Sequence, residues 1–71
     1  MLHVRRLTEG ERTALPDAAR LYVHVVRGRV TLEGEELGPG DAARAVGAEG
    51  LEAVAVERAG VAELLVWELA G

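Results

Sequence analysis

Leu21–Asp41, LYVHVVRGRVTLEGEELGPGD, decides the fold. Leu21–Arg27 is rich in β-branched side chains and free of Gly and Pro, the composition of a strand. Apolar groups lie on both of its faces, with Leu21, Val23 and Val25 on one and Tyr22, His24 and Val26 on the other. Gly28 offers a positive-φ turn or a bulge. Arg29–Glu33 resumes the strand with Val30 and Leu32 on one side, and Gly34 with Glu35 suits a two-residue hairpin turn. Glu36-Leu37 returns as a short strand. Gly38-Pro39-Gly40-Asp41 closes the run as a corner, in which the Asp41 carboxylate is expected to bond to nearby backbone.

The same punctuation continues outward. Leu2–Leu7 alternates charge (His3, Arg5) with apolar groups (Leu2, Val4), the pattern of a half-buried strand. Thr8–Glu11 is a polar turn, Arg12–Leu15 a short extended piece, Pro16-Asp17 a second turn, and Ala18–Arg20 leads into the central strand. Beyond the corner come an Ala-rich strand (Asp41–Val46) and a turn (Gly47–Gly50). Leu51–Glu57 and Val61–Leu69 are then expected to pair as a last hairpin across Arg58-Ala59-Gly60. Ala53 and Ala55 make a tight face opposite Glu52, Val54 and Val56, suited to close approach of strands. Many short strands, each ended by Gly or Pro, predict one all-β domain over residues 1–71, a small barrel of about 7–9 strands.

Size and composition narrow the function. A chain of 71 residues buries only about 60% of the surface its unfolded form exposes, so a disulfide, a metal or a partner subunit usually helps. Cys is absent, which excludes disulfides and thiolate sites, and only His3 and His24 offer imidazoles. The net charge of −4 is spread along the chain, with no basic stripe and only Tyr22 and Trp67 to stack on bases, so nucleic acid is not an expected partner. No apolar run approaches the ~20 residues of a membrane span, and MLHVRRL lacks a signal-peptide core, so a cytoplasmic protein is expected. Ser, Asn, Gln, Lys, Ile, Phe and Cys never occur. Two explanations stay open: a GC-rich, thermophilic type of genome, or a chain simplified in the laboratory.

The segments RLYVHVVRGRVTLEGEELGPGDAARAV (20–46) and GLEAVAVERAGVAELLVWEL (50–69) resemble the C-terminal cupin half of pirin-like proteins, the family that includes bacterial quercetinases. They carry the VxxG turn (Val25–Gly28), the glycine-closed hairpin (Val30–Gly34), the Gly-Asp corner (Gly40-Asp41) and the final LLxF-acidic-L strand (Leu64–Leu69). In that last strand Trp67 stands where Phe is usual and Glu68 is the acidic residue. VRRLTEGERTAL (4–15) is similar to the first two strands of that half. The resemblance implies a jelly-roll-like cupin barrel, and turn and corner roles for Gly28, Gly34, Pro39, Gly40 and Asp41. It also implies a bicupin parent whose other half holds the metal and, in some members, cleaves quercetin.

The metal ligands of a cupin do not recur in this chain. A metal-binding cupin carries HxH-x(3,4)-E-x(6)-G. With Gly28 as the closing Gly, Leu21 takes the place of Glu, and Leu15-Pro16-Asp17 occupies the region of the HxH pair. The second motif places its His three residues after a Gly; counted from Gly40, that is Ala43. A mononuclear site needs at least three placed ligands, so no metal and no cofactor are expected. His24 lies mid-strand without an acidic partner two residues away and reads as a wall or seam residue, while His3 reads as solvated. Glu33, Glu35 and Glu36 read as a solvated hairpin tip rather than an acid–base pair. With neither Ser nor Cys there is no ordinary acyl-transfer nucleophile, and GEELGPGD lacks the Lys and helix of a phosphate loop. No catalytic residue is assigned.

Val61–Leu69 is two-faced like the central strand, with Ala62, Leu64 and Val66 against Leu65, Trp67 and Leu69. A barrel has one interior, so a second cover is needed. Tyr22, His24, Val26, Leu65, Trp67 and Leu69 are therefore expected to form a homodimer face; the alternative is a cap by the N-terminal strand. The function expected is a non-catalytic, self-associating cupin module. A reduced-alphabet scaffold without native activity, and a metal-free small-molecule-binding or quercetinase-related enzyme domain, stand as alternatives.

Overall fold

Eight strands follow one another in the computed structural model, which describes residues 1–69. They are β1 (Leu2–Leu7), β2 (Arg12–Ala14), β3 (Ala18–Arg27), β4 (Val30–Leu32), β5 (Glu35–Leu37), β6 (Ala42–Ala48), β7 (Glu52–Ala55) and β8 (Ala62–Leu69). No helix interrupts them among the described residues. All pairings are antiparallel and form two four-stranded sheets, ordered β1-β8-β3-β6 and β2-β7-β4-β5. This is the small cupin-type sandwich or barrel expected from the sequence.

The core is the layer between the sheets. Leu21, Val23, Val25, Leu64 and Val66 fill it from the first sheet, and Val30, Leu32, Leu37, Ala53 and Ala55 from the second. The alanine face of β7 is the tight one: Ala53 and Ala55 are fully buried while Val54 is half-buried. No side chain in the core is polar or charged, so apolar burial rather than internal hydrogen bonding holds the layers together.

Three local readings change. The first hairpin turns on Glu33-Gly34, because Leu32 and Glu35 are partners in register and both loop residues have positive φ (49° and 80°). That is the geometry of a type I′ turn, which matches the twist of its strands. Second, β7 and β8 do not pair. β7 lies between β2 and β4 in one sheet, and β8 between β1 and β3 in the other. The link through Arg58 and Gly60, both at positive φ, carries the chain from sheet to sheet. Strand periodicity fixes faces, not partners, and a closed two-sheet fold needs such crossings.

Third, β1 faces the other way. Leu7 is buried, so His3 and Arg5 share its inward parity, while Leu2 and Val4 point outward, 50% and 62% exposed. The strand lies at a sheet edge, where inward-pointing charge is tolerated and discourages further pairing. There His3 Nε2 meets Glu68 Oε2 at 2.5 Å, and the imidazole is only 20% exposed rather than solvated.

The corner behaves as expected. Gly38 N–H donates to Asp41 Oδ2 at 2.8 Å and Asp41 N–H to the Gly38 carbonyl at 3.0 Å. The same corner is stitched to β3, with Val25 N–H donating to the Asp41 carbonyl and Gly40 N–H to the Val25 carbonyl. The register on β8 shifts between Val25 and Arg27, which makes Val26 the extra residue of a bulge. Gly28 follows at φ 75°, and a Cβ there would lie 2.5 Å from the Val61 carbonyl oxygen, so no other residue fits without moving backbone.

Candidate functional site

The outward face of the first sheet gathers the chain's large unburied apolar side chains. Cross-strand partners point to one side, so the register defines rows across it. One row runs Leu2, Trp67, Tyr22, Arg44. The next runs Val4, Leu65, His24, Ala42. Leu69, Arg20 and Val46 form a third at one end, and Arg6, Glu63 and Arg27 a fourth at the other.

Within this face the Tyr22 and Trp67 rings lie 5.5 Å apart, tilted by 60°. The Arg44 guanidinium stands over the Tyr22 ring at 5.8 Å. Glu63 receives Arg6 at 3.2 Å and Arg27 at 3.6 Å. Arg20 and Arg44 meet no carboxylate within ion-pair distance among the described residues. A half-open groove of about 340 Å³ runs between them, over the β3–β6 ladder and against Leu69.

Tyr22, His24, Leu65, Trp67 and Leu69 are brought together on this face. Val26 sits in the bulge beside it and is 47% exposed. β1 does not cap them from above. It extends the sheet sideways and adds Leu2 and Val4 to the same face. Leu2 and Val4, expected on the covered side of β1, thus lie on this outer face, and Val46, Arg20 and Arg44 join them without any expectation from the sequence. Their signal is the pairing order β1-β8-β3-β6, which local alternation does not encode.

The interior is a different matter. Leu21, in the place of a cupin's metal-binding Glu, is 1% exposed in the apolar core, and Leu15, in the HxH region, is buried as well. Ala43, in the place of the later His, lines a cavity of about 280 Å³ together with Leu32, Ala45 and Leu51, with Glu33, Glu35 and Arg44 also on its wall. Methyl and isobutyl groups hold no cation, so these residues do not fit a cupin metal. No group of three or more His, Asp or Glu side chains placed to hold an ion occurs among the described residues. His24 has Leu65 and Ala42 as cross-strand neighbours. Glu36 is held by Arg29 at 3.0 Å on the exposed hairpin.

Comparison with known proteins gives one consistent result. A family described as the quercetinase C-terminal cupin domain matches residues 1–69. Proteins named “putative quercetin 2,3-dioxygenase” in Mycobacterium tuberculosis and Mycobacterium bovis are 42% identical over 69 residues, covering 96% of this chain and 27% of their own length. The chain thus spans about a quarter of the length of the curated relatives it matches. No solved structure matches it.

Proposed function

The chain belongs to the quercetinase C-terminal cupin family, and from that membership we propose that it is a cytoplasmic, non-catalytic cupin module that binds no metal and associates with a second copy of itself. What fills the ligand places carries this reading: Leu21 and Leu15 are core side chains, and Ala43 offers a methyl group to the inter-sheet cavity. A dioxygenase of this fold class works through a metal, and removal of its ligands removes the reaction while the barrel remains. The name that its relatives carry describes chains nearly four times as long, so it does not by itself assign that chemistry to the matched segment.

Self-association is supported by the outer face of the first sheet. Tyr22, Leu65, Trp67 and Leu2 give it an apolar centre, with arginines at both ends. Apolar centre and charged rim are the usual anatomy of a protein interface. Two copies packed face to face would bury the aromatic pair and leave Arg20, Arg44, Arg6 and Arg27 in solvent.

The missing residue types favour a second reading, a reduced-alphabet scaffold with no native activity. Both readings expect the same chemistry. Purified chain is supplied in turn with Fe(II), Ni(II), Mn(II) and Zn(II), then desalted, analysed for metal and incubated with quercetin in air. The expected result is substoichiometric metal and quercetin consumption no faster than buffer. Stoichiometric metal with turnover would overturn the proposal.

A further inference from the structure

We propose that the groove between Arg20 and Arg44 binds a small carboxylate carried on an apolar body. Its floor is the β3–β6 ladder, where Arg20 pairs with Val46 and Tyr22 with Arg44, so the two arginines stand diagonally on one face. Leu69 walls the other side. The volume of about 340 Å³ lies within the range of small-molecule sites, about 300–1,000 Å³.

Charge selects the sign of the ligand. Four other arginines, Arg6, Arg12, Arg27 and Arg29, have carboxylates of this chain within ion-pair distance. Arg5, Arg58, Arg20 and Arg44 have none among the described residues, although acidic residues outnumber basic ones twelve to eight, and of these four only Arg20 and Arg44 share a groove. Both arginines line the one groove, and a guanidinium fork is the side chain that matches a planar carboxylate. The apolar remainder of the ligand is selected by Val46, Leu69 and the Tyr22 ring, while Leu21 and Ala45 turn their side chains to the core and offer only backbone to the floor. Arg44 is held over Tyr22 by the ring face, which restricts its freedom before a ligand arrives.

This inference does not depend on self-association, because the groove lies at one end of the face and Trp67 is not among its lining residues. The test is a titration of ¹⁵N-labelled chain with sodium benzoate at low ionic strength, where exposed charges are least screened. Benzamide serves as the neutral isostere and acetate as the anion without an apolar body. Saturable shifts are expected at the amides of Leu21, Tyr22, Ala45 and Val46 with benzoate. Arg20→Ala and Arg44→Ala should each weaken benzoate at least about tenfold, the effect of losing one charge-assisted contact. Both side chains are exposed, and a dispersed spectrum establishes that each variant folds. Equal binding of benzamide, equal binding of acetate, or benzoate shifts that survive Arg44→Ala would each overturn the proposal. Repeating the titration in Trp67→Ala protein separates the two ideas, since that change alters the centre of the face and substitutes no residue that lines the groove.

Discussion

Tyr22 and Trp67 stand opposite one another on β3 and β8, their rings 5.5 Å apart, on the side of the sheet that no second layer covers. Most of the chain's packing lies on the other side of these strands, where Val23 and Val66 are 1% and 0% exposed. An aromatic pair outside the core contributes to stability only modestly, yet it is a natural centre for an interface.

Replacing Trp67 should therefore separate folding from association. Trp67→Ala is expected to cost about 0.5–1.5 kcal/mol in unfolding free energy for the lost aromatic pair, plus the apolar area that the half-buried indole covers. Light scattering should report a far larger loss of self-association than that stability change explains. Chemical denaturation on the same samples supplies the comparison.

Leu64→Ala tests the opposite side. Leu64 is fully buried between the sheets, and truncation of such a residue costs about 2–5 kcal/mol. For a domain of this size that approaches the whole stability. The expected outcome is a chain largely unfolded at 37 °C by circular dichroism, regained on cooling or with a stabilising osmolyte.

Two glycines should respond differently to the same change. Gly34 and Gly28 both have positive φ, but a Cβ at Gly34 meets open space while one at Gly28 would lie 2.5 Å from the Val61 carbonyl oxygen. Gly34→Ala should cost about 1–2 kcal/mol, the price of the left-handed conformation alone. Gly28→Ala should cost clearly more, because β8 must shift as well. Urea midpoints of the two variants give the comparison.

Asp41 ties the corner to its own backbone. Asp41→Ala removes the acceptor of the Gly38 N–H and should destabilise by about 1–2 kcal/mol. Asp41→Asn retains an oxygen acceptor and should recover part of that loss. Exchange of the Gly38 amide, read by NMR, should rise in the same order.

Much of the fold is legible in the residues, because turns and faces are local properties. Gly28, the Glu33-Gly34 region and Gly40-Asp41 punctuate the chain close to where the strands end. The alternation in Leu21–Val25 separates the core face from the outer face correctly. Partner choice is not local. The expected β7–β8 hairpin fails because each strand meets its partners in a different sheet, which only the closed sandwich determines. β1 misleads for a related reason: at an edge, His3 and Arg5 can point inward and still reach solvent or Glu68. Arg20 and Arg44 are far apart in the chain and share a groove only through the β3–β6 register.

Whether the outer face of the first sheet is covered by a twin is decided most directly by sedimentation velocity across a wide range of chain concentrations. A dimer that dissociates on dilution, and that Trp67→Ala converts to monomer at the same concentrations, is the expected behaviour. A single monomeric species throughout, unchanged by that substitution, would contradict it.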